Sequence, residues 1–290
     1  MNQVGVMIKE LRKKKNITQE QLGEVLSVSF QTISKWENGL SQPDIYLLPV
    51  IASYFGVSID EIFGYRLDAL TYKERFIKFI VDNGVLRFGE FQLSSGRKSP
   101  YYINATQYMD GMQLSKLGEF YADIIKDHWT QANVLYGVGN NGSFLSVITS
   151  LSLFSKYGIN MKYCFGGADQ LQNQTEGYMT GKKLEPADEV ILIADTITTG
   201  STIRQTIREL AEASQVTVKE IIIAMDREEK NKYSSKSAVE ELRNELKIPI
   251  YSIISVNDII HAIENHVIAR VDHLASMKKY YEQYGGRYDN

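Results

Sequence analysis

The sequence is poor in several things at once. Cys164 is its only cysteine, so no intrachain disulfide can form. It has 5 prolines and no Pro/Gly/Ser-rich tract, internal repeat or low-complexity segment to mark a linker. Its longest apolar stretches, such as residues 221–225, fall far short of the roughly 20 residues that span a bilayer, so no membrane association is predicted. The opening MNQVGVMIKELRKKK carries no apolar core before a cleavage site, and a cytoplasmic protein is expected. There is no excess of positive charge: 32 Lys and Arg face 35 Asp and Glu, a formal net charge of −3. Any nucleic-acid binding must therefore come from a local patch. His128, His261, His266 and His273 show no metal-ligand spacing with carboxylates or with Cys164, so no metal site is predicted. What remains is an ordinary globular composition, 43% hydrophobic and 23% charged, on a chain long enough for two domains.

The two parts differ in pattern. Up to about Gly64 every periodic segment is helical; after about Thr71 strand and helix patterns alternate. The boundary is placed at residues 65–70. In the first part Val4, Met7, Ile8 and Leu11 share one helical face. Thr18 and Gln21 have capping-box spacing, and Ser29 can cap the helix FQTISKWEN, which Asn38-Gly39 ends with left-handed geometry. A fourth helix is expected from Pro43-Asp44, with Ile45, Leu48, Ile51, Ala52 and Phe55 as its apolar stripe and Pro49 straining its first turn. A fifth, short and capped, begins at Ser58. Two short helices joined by a tight turn inside a five-helix bundle suggest helix-turn-helix.

The string TQEQL…VS..TISKWENG..QPD resembles the DNA-binding domain of Cro/repressor-type (XRE-family) regulators. The resemblance implies an all-α domain over residues 1–66 whose second motif helix enters the major groove of an operator. Carried over by position, Gln31 and Thr32 meet base edges, and Gln19, Ser34, Lys35 and Asn38 meet phosphates. A glutamine amide can pair bidentately with adenine. Two positions depart from the family. Phe30 stands where a basic or polar residue is common, and Ser27 replaces the usual turn glycine, which predicts some strain. Charge alone supports the plainer alternative of a solvated helical face, because residues 1–66 hold seven Lys and Arg against seven Asp and Glu.

The alternation after residue 71 predicts an α/β domain over residues 71–290 with a mainly parallel sheet. Three loops after strands expose backbone amides: GVGNNG from Gly137, a polar run over residues 166–181, and the turn after strand VILI at residues 190–193. In the last, Thr198, Thr199, Gly200, Ser201 and Thr202 sit at a helix N-terminus, where hydroxyls, amides and the helix dipole favour a phosphate. A purely structural strand-to-helix turn could use the same composition.

RFGEFQLSSGRKSPYYINA, VLYGVGNNG, YCFGG, VILIADTITTGSTIRQTI, AMDREEK and KYYEQYG each resemble orotate phosphoribosyltransferase, in family order and at compatible spacing. The resemblance implies a type I phosphoribosyltransferase-like fold, a homodimer, and transfer of ribose 5-phosphate from phosphoribosyl pyrophosphate, with magnesium, to orotate. It implies that residues 198–202 hold the 5′-phosphate, that Asp195 meets the ribose, and that Tyr101, Tyr102 and Arg227 lie beside the base. Plain core packing is the alternative for the tyrosines, and an ion pair with Asp226 or Glu228 is the alternative for Arg227. Several positions depart from the family. Ala194 replaces one of two ribose-binding acids. Gly167, Ala168, Leu171 and Asn173 replace the mobile loop's cations, and no basic residue occurs between Tyr163 and Gly181. Asn140-Asn141 replaces a Tyr-Lys pair that meets pyrophosphate, and Ser94 stands where some members carry lysine.

The losses are selective. Features that hold a nucleoside monophosphate remain, while those that stabilise a departing pyrophosphate are gone. Losing one such contact costs on the order of 3 kcal/mol, a hundredfold or more in rate. The expectation is a DNA-binding transcription regulator whose catalytically degenerate domain senses a nucleotide or phosphoribosyl ligand. No catalytic residue is assigned, and magnesium is expected only if phosphoribosyl pyrophosphate binds. The alternative is an active orotate phosphoribosyltransferase fused to a DNA-binding domain.

Overall fold

A computed structural model describes residues 3–64, 70–93, 96–128, 130–166, 179–230, 234–269 and 271–286. The chain divides into two compact units, Met1–Thr71 and Tyr72–Asn290.

The smaller unit is built from α1 (Gln3–Lys14), α2 (Gln19–Leu26), α3 (Phe30–Glu37), α4 (Leu48–Phe55) and α5 (Ile59–Ile62). Its core gathers Val4, Ile8, Leu22, Leu26, Ile33, Trp36, Leu48, Ile51 and Ile62, one stripe from each helix. Thr18 completes its capping box: its hydroxyl accepts from the Gln21 amide at 3.2 Å, and the Gln21 side chain accepts from the Thr18 amide at 2.8 Å. Ser27 closes α2 at φ 55°, in the left-handed region that its sequence position demanded. Asn38 has φ −97°, and Gly39 alone takes the left-handed step, at φ 72°.

The fourth helix starts later than its sequence pattern indicated. Asp44 caps a 3-10 turn over Ile45–Leu47, its carboxylate accepting from the Tyr46 amide at 2.8 Å, and α4 begins only at Leu48. Ile45 therefore leaves the apolar stripe and is 71% exposed. Pro49 lies in the first turn, where an amide has no intrahelical acceptor, so its missing N–H costs nothing.

The larger unit opens with α6 (Tyr72–Asp82) and an antiparallel hairpin, β1 (Leu86–Gln92) and β2 (Lys98–Ile103). There follow α7 (Gly111–Asp127), β3 (Val134–Gly137), α8 (Gly139–Tyr157), β4 (Lys162–Phe165), β5 (Thr180–Gly181), β6 (Glu189–Thr196) and α9 (Ser201–Ala213). The chain ends with β7 (Thr217–Asp226), α10 (Ala238–Leu246), β8 (Ile250–Ser255), α11 (Val256–Glu264) and α12 (Leu274–Tyr284). The sheet order is β5-β4-β3-β6-β7-β8, parallel except for β5.

Alternation along the central strands separates two cores. Leu135, Ile191, Ile193 and Ile222 face one layer, with α6, α7 and α11; Val134, Val190, Leu192, Ile221 and Ile223 face the other, with α9 and α10. The connection from β3 runs to β4 on one side, and the chain then returns to place β6 on the other. The carboxyl ends of β3 and β6 thus form the topological switch point, where the crevice of such a sheet opens.

Candidate functional site

An open cavity of about 570 Å³, counting the solvent at its mouth, lies at that switch point. Its walls come from the first turn of α8, the end of β6 and the turn into α9. Thr198, Gly200, Ser201 and Thr202 line it together with Asp195 and Ala194. Gly200 is the N-cap of α9 at φ 76°, and an added Cβ would sit 2.5 Å from Leu242 Cδ1. Only glycine fits both that dihedral and that space. No side chain caps α9 beyond a marginal 3.4 Å bond from the Ser201 amide to Thr199 Oγ1, so amides of its first turn remain available to an anion.

Thr199 differs from its four neighbours. It does not line the cavity; its hydroxyl lies 3.1 Å from Ser201 Oγ, and its carbonyl accepts from Arg204 Nη1 at 2.8 Å. Arg204 is drawn away by Glu245 at 2.7 Å. Thr199 thus shapes the turn from behind.

Asp195 carries the cavity's charge. Its Oδ1 accepts from the Thr196 amide at 2.7 Å and its Oδ2 from Asn141 Nδ2 at 2.9 Å. Among the described lining residues there is no Lys, Arg or His. The Asp195 charge and burial together raise the pKa of Tyr108, burial being the larger cause. Cys164, buried in β4, has its thiol pushed up to about 12 by burial and by Asp188, which leaves it unreactive. No group of His, Cys, Asp and Glu that could hold a metal ion occurs among the described residues.

Of the predicted base-side residues, the structure brings Tyr101 and Arg227 together and sets Tyr102 apart. Tyr101 and Tyr102 are consecutive on β2, so they point to opposite faces. Tyr101 is wholly buried, and the Arg227 guanidinium lies over its ring at 4.3 Å. Tyr102 is 40% exposed and stacks on Phe91 at 5.5 Å. They do not form one stacking platform. Arg227 follows β7 and binds Glu229 through two nitrogens, at 2.6 and 2.8 Å, rather than either of its immediate neighbours. Glu229 also holds Arg97 at 3.2 Å, and Arg97 lies over the Tyr284 ring at 4.9 Å. Glu229 is thus shared between two guanidiniums beside the hairpin. Sequence reasoning missed Arg97 and Glu229, because their meeting depends on a hairpin 132 residues distant. Gly167, Ala168, Leu171 and Asn173, Ser94, and the side chain of Asn140 lie outside the described residues.

In the smaller unit α3 buries Ile33, Trp36 and Glu37 and turns Gln31, Lys35 and Asn38 to solvent. Gln31 and Lys35 are one turn apart and suit a groove-facing surface. Two other candidates are partly committed to the fold. The Thr32 hydroxyl is 2.9 Å from Ser29 Oγ in the helix cap, and Gln19 Nε2 donates to Glu37 at 2.8 Å. Asn38 Nδ2 reaches Ser34 Oγ at 3.3 Å. Glu37 anchors this arrangement from inside, taking both arms of Arg12 at 2.6 and 2.9 Å. Phe30 is 46% exposed on the same helix, free to meet a thymine methyl or another apolar surface.

Residues 8–62 match the helix-turn-helix family. The orotate phosphoribosyltransferase of Clostridium beijerinckii is 34% identical, across 74% of this chain and 99% of the relative. The chain belongs to the orotate phosphoribosyltransferase family. The Clostridium acetobutylicum orotate phosphoribosyltransferase is 36% identical across 74% of this chain and 98% of its own length. In structure, the Francisella tularensis orotate phosphoribosyltransferase superposes with a TM-score of 0.64 at 30% identity, covering 73% of this chain and all of the other. This member of the family carries a helix-turn-helix DNA-binding domain ahead of its phosphoribosyltransferase fold. Among the described residues no helix is long and apolar enough to cross a membrane.

Proposed function

We propose that this chain is a sequence-specific transcription regulator whose phosphoribosyltransferase-like domain senses a nucleotide or phosphoribosyl ligand. One observation carries the reading. The cavity is lined by Thr198, Gly200, Ser201 and Thr202 at the start of α9, a set suited to a phosphate, yet its described lining presents a single acid and no cation. Pyrophosphate departure needs positive charge preorganised over the leaving group. The loop that would bring such charge has no basic residue between Tyr163 and Gly181. The residues also fit a resident magnesium ion poorly: Ala194 offers no side-chain oxygen and its carbonyl accepts from Tyr121, and a cation at Asp195 would compete with the hydrogen bonds that both its oxygens accept.

In this reading two chains form a homodimer and set two helix-turn-helix units on a pseudo-palindromic operator, about one helical turn between half-sites. Gln31 reads base edges, with Lys35, Ser34, Asn38 and Gln19 on the backbone. A ligand changes operator affinity only as far as it binds one domain arrangement better than the other; a tenfold change requires about 1.4 kcal/mol of coupling. Fluorescence anisotropy on an operator selected from random duplexes, with and without UMP, OMP, orotate or phosphoribosyl pyrophosphate, tests it. A ligand-dependent shift in operator affinity is expected. The 34% and 36% identity to orotate phosphoribosyltransferases over nearly their whole length gives the second reading, an active enzyme, its weight. Consumption of orotate with phosphoribosyl pyrophosphate and magnesium at an ordinary enzymatic rate would replace the regulator reading with that one.

A further inference from the structure

We infer that Asn141 sets ligand specificity, making the cavity select a 5′-phosphomonoester nucleotide over a sugar 1-diphosphate and bind it without a divalent cation. The inference rests on the sensor reading and adds to it the ligand class and the residue responsible.

The geometry begins with the backbone. Gly137 ends β3, and Gly142 lies in the first turn of α8. A Cβ on Gly137 would be 2.2 Å from the Gly142 carbonyl oxygen, and one on Gly142 would be 2.9 Å from the Ile193 carbonyl oxygen. The Val138 amide also donates to the Ile193 carbonyl at 2.9 Å. The first turn of α8 is therefore pressed against the ends of β3 and β6, and position 141 has little freedom to move away. Its side chain faces the end of β6, where Asn141 Nδ2 meets Asp195 Oδ2 at 2.9 Å.

A neutral amide at this point has three consequences. It orients Asp195, together with the Thr196 amide on the other oxygen, so the carboxylate is fixed before a ligand arrives. It leaves the full negative charge of Asp195 in place, available to ribose hydroxyls but repulsive to a second phosphate group. It also competes with a cation for Asp195 Oδ2, and the alanine at 194 supplies no second carboxylate. A single phosphate at the α9 turn lies against amide donors, whereas a diphosphate placed near β3 and β6 would meet Asp195 with no cation among the described lining residues.

Isothermal titration of the full chain with UMP, OMP and phosphoribosyl pyrophosphate, each in excess magnesium and in excess EDTA, tests this. A monophosphate is expected to bind with the same Kd in both buffers, and phosphoribosyl pyrophosphate at least about tenfold more weakly. Asn141→Lys should move the ratio of the two affinities toward the diphosphate by about tenfold or more, the worth of one charge-assisted hydrogen bond. Asn141→Ala, which frees Asp195 without adding charge, should weaken the monophosphate and leave the diphosphate weak. Magnesium-dependent binding in which phosphoribosyl pyrophosphate equals or exceeds the monophosphate overturns this inference while leaving a ligand sensor standing. So does an unchanged ratio in Asn141→Lys. Failure of every ligand to bind overturns the inference and the sensor reading together.

Discussion

Replacing Glu220 with glutamine should stabilise the larger unit above neutral pH and leave it nearly unchanged in mild acid. Glu220 lies on β7 beside the point where its register with β6 slips. It is fully buried, and neither carboxylate oxygen makes a hydrogen bond of normal geometry among the described residues, the Thr130 hydroxyl included. Burial disfavours the ionised form and lifts the pKa from 4.5 to about 7. Between those values the folded chain keeps a proton that the unfolded chain has released. Stability therefore falls as pH rises from 4.5 to about 7 and is level beyond it. A rise from 4.5 to about 7 corresponds to roughly 3 kcal/mol. Glutamine has the same shape and no proton to lose, so this decline should vanish. At about pH 8 the variant should be more stable than the wild type by roughly 2 to 3 kcal/mol. Urea denaturation followed by far-UV circular dichroism, repeated from about pH 5 to about pH 8, measures the difference from the shift in midpoint. Parallel pH dependences in the two proteins would refute the reasoning, since they would mean that Glu220 is as ionised in the fold as outside it.

Four further outcomes are expected. Arg12→Ala strands Glu37, whose side chain is 1% exposed, and should cost the smaller unit about 3 to 5 kcal/mol, seen as early melting of its transition in calorimetry. Gly200→Ala forces a Cβ to φ 76° against Leu242; a loss of roughly 1 to 3 kcal/mol and of phosphate-ligand binding should appear in a thermal-shift titration. Gln31→Ala should lower affinity for the selected operator by about 1 to 3 kcal/mol and relax its sequence preference, whereas Lys35→Ala should weaken all duplexes and reduce the salt dependence by about one phosphate.

Much of the architecture was legible because it is written locally. The capping boxes at Thr18 and Ser58 fix helix starts through bonds three residues apart. The run VILI alternates between two cores because strand side chains must. The family resemblance supplied the fold class, whereas the strand order β5-β4-β3-β6-β7-β8 came only with the structure. The late start of α4 escaped notice because Asp44 can cap a 3-10 turn as readily as an α-helix, and the choice follows from how Leu48 and Ile51 reach the core.

By itself the sequence determined which chemical groups are present: a hydroxyl- and glycine-rich turn, one acid beside an alanine, and a loop without cations. These follow from residue identity and need no coordinates. Only the tertiary structure decided what those groups are free to do. It turned Thr199 behind the turn, divided Tyr101 from Tyr102, and gave Arg227 to a carboxylate that also holds Arg97. It also set the Asn141 amide on Asp195. The reason is physical. Hydrogen bonds and ion pairs act over about 3 Å, and Asn141 and Asp195, 54 residues apart, reach that distance because the sheet sets the ends of β3 and β6 side by side.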